Sequence, residues 1–184
     1  MDRRLVAAAL VCAIADCGPN VAAADQAPSG GQAVAERQQQ GCKAFAWPIG
    51  REQAWFDDAR LAHRASGARM SHINRAVELA LAPISKAHFF MAPEHPLGAD
   101  GYGGEAVFFG VPKPAVYQVT VSEEATIDVF ENGARLKPIA STGAPGCAGV
   151  RLSARYRLAP GDLVLIELRG AAKASIKLAF VEAP

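Results

Sequence analysis

The sequence predicts an all-β fold: an antiparallel β-sandwich of jelly-roll kind with a short N-terminal helical segment. Three observations lead there. From Ala76 onward apolar residues alternate with polar or small ones, as in strands with one buried and one wet face. Turn residues punctuate these runs about every ten to twelve positions, the spacing of sandwich strands. No helical period follows Ala62, which excludes repeated βαβ units.

The elements follow in order. Asp2, Arg3 and Arg4 open the chain, an apolar run spans Leu5 to Ala15, and small residues reach Ala22, Ala23 and Ala24. A basic start, a short apolar run and an A-x-A site make a secretory signal peptide over residues 1–24, cut before Asp25. The expected location is periplasmic or secreted. The apolar run is well short of the roughly 20 residues that span a bilayer, so no transmembrane anchor is expected. Val11 before Cys12 and Asp16 before Cys17 do not fit a lipidation site.

Cleavage removes Cys12 and Cys17 and leaves Cys42 and Cys147, an even pair in an exported protein and hence a predicted disulfide. Its loop of about 105 residues is worth up to roughly 4.7 kcal/mol in the chain-entropy model. No CxxC or Cys/His pair at zinc spacing competes for these thiols.

Residues 25–41 are polar and low in complexity, and are expected to be a disordered leader. Residues 42–75 form a helix-containing segment packed on the sandwich. Trp47 and Pro48 mark a turn. Arg51 to Ala62 lacks Gly and Pro and places Trp55, Ala59 and Ala62 on one helical face. His63, Arg64, Arg69, His72 and Arg75 follow without an acid. That stretch reads first as a solvated basic loop, and alternatively as a small anion-binding patch.

Residues 76–184 are the sandwich, with about eight strands. Runs at Val77–Leu81, Glu105–Val111, Tyr117–Val121, Ile127–Val129, Leu152–Leu158 and Ile176–Phe180 are candidates. Leu163 to Leu168 is apolar on both faces except at Glu167, as in a central strand. Asn132-Gly133 is a two-residue hairpin signal, because a type I′ turn needs positive φ at both positions. Gly101, Gly103, Gly104 and Ala106 formally fit a nucleotide-binding G-x-G-x-x-A. They do not join a strand to a helix, so they read as a flexible loop.

The stretches Pro114–Val121, Ala125–Asn132 and Tyr156–Gly161 resemble the pre-peptidase C-terminal (PPC-like) domains of secreted bacterial enzymes. Those are small β-sandwiches with a similar "x-Y-x-V … I-D-V … L-x-x-G" rhythm. The resemblance covers roughly Glu105 to Glu182. It implies an accessory sandwich, although no protease domain accompanies it here. The whole chain resembles small exported proteobacterial proteins, some of which carry a dioxygenase name.

Mononuclear iron oxygenation needs two histidines and a carboxylate on one face of the metal. The chain has no H-x-H, and its best local set is His88, Glu94 and His95, near Asp100 and Glu105. Copper or zinc suits such imidazoles better than iron. The plainer reading is unrelated loop histidines, with no cofactor expected. There is no G-x-S-x-G elbow, and bridged cysteines supply no thiolate.

Arg151, Arg155 and Arg157 lie on one face of their strand with Ser153 between them. Three guanidinium groups there could recognise carboxylate, phosphate or an acidic glycan. The plainer reading is an outer face paired with acids such as Asp128 or Glu167. Trp47 and Trp55 are explained by packing over one end of the sandwich.

The net charge of +1 gives no pull toward nucleic acid. The expected role is therefore an exported, non-catalytic binding or accessory module. Its partner would be a small molecule, a glycan or an envelope protein. The alternatives are metal binding or metal-dependent catalysis through His88 and His95, and a structural role in the envelope.

Overall fold

A computed structural model describes residues 41–71, 73–92, 100–161 and 163–184. The expected signal peptide, nearly all of the leader, His72, Glu94 and His95 lie outside the described residues.

The all-β expectation holds. The described residues form one short helix, α1 (Gly50–Phe56), and twelve strands in two packed sheets. The first sheet contains β1 (Ala62–Arg64), β3 (Arg75–Ala80), β12 (Ser175–Glu182), β6 (Ala115–Val121), β10 (Leu152–Leu158) and β9 (Ala140–Gly143), in that spatial order. The second runs β2 (Arg69–Met70), β5 (Tyr102–Phe108), β11 (Val164–Ala171), β7 (Thr126–Glu131) and β8 (Ala134–Leu136). A further two-residue strand, β4 (Ala82–Pro83), pairs with β5 beyond β2.

Four strands were not expected: β1, β2, β4 and β9. Each has two to four residues, too few for a period of two to be read. Two of them also make the sheets mixed. β1 runs parallel to β3, and β2 parallel to β5, whereas the other pairs are antiparallel. The segment between Ala62 and Met70 thus edges both sheets, where a solvated loop was expected.

The alternation sets the core. Leu79, Tyr117, Val119, Val121, Tyr156, Ile166, Leu168, Leu178 and Phe180 turn inward and are almost fully buried. Phe180 stacks at a tilt on Phe108 of the other sheet, with ring centroids 4.7 Å apart. β11 is central, between β5 and β7. Asn132 and Gly133 have φ of 50° and 82°, and they join β7 to β8 as the hairpin signal requires.

A cap covers the outer face of the first sheet. Phe45, Ile49 and Phe56 bury themselves with Ala144, Val150 and Ala179, while Trp47 and Trp55 pack alongside. The expected Cys42–Cys147 disulfide is present and ties the cap to the loop before β10. α1 is shorter than the expected Arg51–Ala62 helix. Asp58 Oδ1 accepts the Arg60 backbone N–H at 2.9 Å, which turns the chain away from the helical course.

Beneath the cap runs a polar chain. Trp47 Nε1 donates to Ser153 Oγ at 3.1 Å, and Ser153 and Thr120 share a hydrogen bond of 2.8 Å. Gln118 Nε2 donates to Thr120 Oγ1 and to Glu52 Oε1. The fully buried Glu52 also accepts from Arg51, at 2.8 Å.

A strap, residues 84–92, crosses the outer face of the second sheet. The register lays that face out in rows. Gly103, Arg169 and Thr126 are cross-strand neighbours; so are Glu105, Glu167 and Asp128; so are Arg69, Val107, Leu165, Phe130 and Arg135. The strap lies on the first two rows. Phe90 N donates to Glu167 Oε1, and Arg169 Nη2 donates to Met91 O and Glu167 Oε2. Arg169 Nη1 reaches Asp128 Oδ2 at 3.3 Å.

The Arg169 guanidinium lies 4.2 Å from the centroid of Phe89. Gly103 makes room for that ring, since a Cβ there would meet Phe89 Cζ at 2.6 Å and Leu168 O at 2.9 Å. The expected flexible glycine loop is thus partly strand β5. Its glycines are kept bare for close approach rather than for mobility.

Candidate functional site

Where the edge strands β1 and β2 lie, a cavity of about 330 Å³ opens, within the usual size range of ligand sites. Met70, Val77 and Phe108 are buried residues in its lining and give it an apolar floor. Around them stand four arginines: Arg60 beyond α1, Arg64 in β1, Arg69 in β2 and Arg75 at the start of β3. They face one carboxylate in the lining, Asp58. The topology explains this gathering. The chain leaves β1, turns through Gly67 at a φ of 79°, forms β2 on the other sheet and returns as β3. One basic stretch thereby surrounds one mouth.

Two of these groups are engaged. Arg60 Nε lies 3.3 Å from Asp58 Oδ1, and Arg64 Nη1 donates to the His63 carbonyl at 3.0 Å. The side chains of Arg69 and Arg75 have no hydrogen-bond or ion-pair partner among the described residues. Each guanidinium presents a planar fork of donors that matches a carboxylate or phosphate. His63 turns away from the pocket to Glu78, 3.4 Å distant. The lack of acids from His63 to Arg75 marks Arg64, Arg69 and Arg75 only as the alternative to a solvated loop. Nothing local marked Arg60 or Phe108, because β5 and the turn after α1 are brought there by the tertiary fold.

The other arginine set is arranged differently. Arg155 stacks over Trp47 at 4.2 Å and donates Nε to Gln118 Oε1 at 3.1 Å. Arg151 lies before β10 and donates to the Pro145 carbonyl. Arg157 is exposed. The acids suggested as their partners, Asp128 and Glu167, belong to the outer face of the opposite sheet, where Arg169 engages both. Trp47 and Trp55 pack on the outer face of the first sheet rather than over an end of the sandwich.

His88 is exposed on the strap, and no group of three metal-ligating side chains comes together among the described residues. Burial pushes the Glu167 carboxyl above its ordinary value, against the pull of the Phe90 amide and Arg169. Burial also raises the Tyr156 phenol, which donates to the Ile127 carbonyl at 3.2 Å.

No protein-family model matches the chain, and no curated protein is significantly similar to it. Among the described residues no helix is long and apolar enough to cross a membrane.

Proposed function

We propose that the protein is an exported, non-catalytic binding module, a PPC-like accessory sandwich. Its arginine pocket takes a small ligand carrying a phosphate, a carboxylate or an acidic sugar. The observation that carries this reading is the pocket itself: four guanidinium groups around an apolar floor, against one carboxylate. Arg69 and Arg75 are exposed and keep their donors for a ligand. Export is supported by the signal-like N-terminus and by the Cys42–Cys147 bridge, a bond that persists in oxidising compartments.

Calorimetry with inorganic phosphate, succinate and glucuronate tests the reading. At least one should bind, more weakly as salt rises. Arg75→Ala and Arg64→Ala should each weaken binding by about ten-fold, the cost of one charge-assisted hydrogen bond. Failure of all three anions to bind the folded protein overturns it.

A further inference from the structure

A second cavity, of about 420 Å³, lies on the outer face of the second sheet where the strap leaves it open. Its floor is the apolar middle of one cross-strand row: Val107, Leu165 and Phe130. Phe90 forms a wall, edge-on to Phe130 with centroids 5.5 Å apart, and is 56% exposed. Two opposite charges also line the cavity, Arg69 on β2 and Glu105 on β5, with the His88 imidazole of the strap as a further polar group.

These charges do not neutralise each other, since no ion pair within 4.0 Å joins them. Neither side chain has a hydrogen-bond or ion-pair partner among the described residues. The register places them as diagonal rather than directly opposite neighbours. Arg69 is opposite Val107, whereas Glu105 sits two residues earlier on β5. Glu105 is also the unengaged end of the carboxylate row. Its cross-strand neighbour Glu167 is held by Arg169, which leaves the negative potential at Glu105 unanswered.

We propose that this cavity binds a zwitterion with an apolar body, an apolar or aromatic α-amino acid. The ligand carboxylate takes the Arg69 fork and its ammonium takes Glu105. Its side chain covers Leu165 and Phe130 against the exposed edge of Phe90. A simple anion meets Glu105 and a simple amine meets Arg69, so only a ligand carrying both charges satisfies both groups. The site goes beyond the arginine pocket and shares only Arg69 with it.

The test is calorimetry of the purified protein with L-phenylalanine, L-leucine, 3-phenylpropionate and phenethylamine. At least one of the two amino acids should bind. 3-Phenylpropionate and phenethylamine, each lacking one charge, should bind about ten- to a hundred-fold more weakly than L-phenylalanine. Glu105→Gln and Leu165→Asp should each weaken the amino acid at least ten-fold, with circular dichroism confirming the fold. Neither residue lines the arginine pocket, so phosphate binding should survive both variants. Conversely, Arg75→Ala should disturb phosphate and leave L-phenylalanine unchanged. The proposal fails if neither amino acid binds, if 3-phenylpropionate or phenethylamine binds as tightly as L-phenylalanine, or if Glu105→Gln changes nothing.

Discussion

Both sheets have their outer faces covered by non-strand segments, but the two covers are fastened by different chemistry. The cap on the first sheet is held by buried aromatics, a disulfide and a chain of hydrogen bonds through Trp47, Ser153, Thr120 and Gln118. The strap on the second is held by charge: Arg169 binds both Glu167 and Asp128, and Arg169 and Glu167 also bind the strap backbone. The cap seals its face, which leaves the arginine pocket at its edge. The strap covers only part of its face and leaves a cavity beside it. The difference shows that one architecture can seal one sheet face with apolar packing and leave the other partly open under a strap held by charge.

The comparison is broken most severely at Arg169. Arg169→Met leaves Glu167 and Asp128 without their common cation, and should cost about 3–5 kcal/mol in urea unfolding. A loss under about 1 kcal/mol would mean that charge does not hold the strap. The Glu167 carboxyl adds a pH signature. Its pKa is raised in the folded chain, which therefore binds that proton more tightly than the unfolded chain. Stability should fall as pH rises from 4.5 through the raised value, and Glu167→Gln should remove that slope.

The cap should respond to its tether instead. Replacing Cys42 and Cys147 together by Ser should cost about 2–4 kcal/mol. Limited proteolysis should then cut the cap first while the strap stays protected. Gly103→Ala probes the strap by shape, since its methyl group would clash with Phe89 and the fixed Leu168 carbonyl. A thermal scan should show a loss of about 1–3 kcal/mol. The smallest effect is expected at Ser153→Ala, which removes two hydrogen bonds under the cap. It should cost about 1–2 kcal/mol and shift the Trp47 emission.

The long strands, the Asn132-Gly133 turn, the central place of β11 and the disulfide were legible in the sequence, because each has a local signature. Three of the four pocket arginines lie in the stretch without acids, which reads first as a solvated loop and only alternatively as an anion-binding patch, whereas the arginine site expected from the sequence was Arg151, Arg155 and Arg157. β1, β2, β4 and β9 were not legible, because they are strands only where a neighbour offers a free edge. Nor was it legible that Asp128 and Glu167 belong with Arg169 rather than with Arg151, Arg155 and Arg157. Alternation says that a residue points outward, but not from which sheet.

By itself, then, the sequence determined the all-β class, the inward-facing core and the covalent staple, since periodicity and cysteine pairing are properties of the chain alone. The tertiary structure decided which strands are neighbours, and with them every long-range juxtaposition. It set Phe108 beneath the arginines, Phe89 on Gly103, and Arg69 diagonal to Glu105. Such contacts join residues tens of positions apart, and no local pattern encodes them.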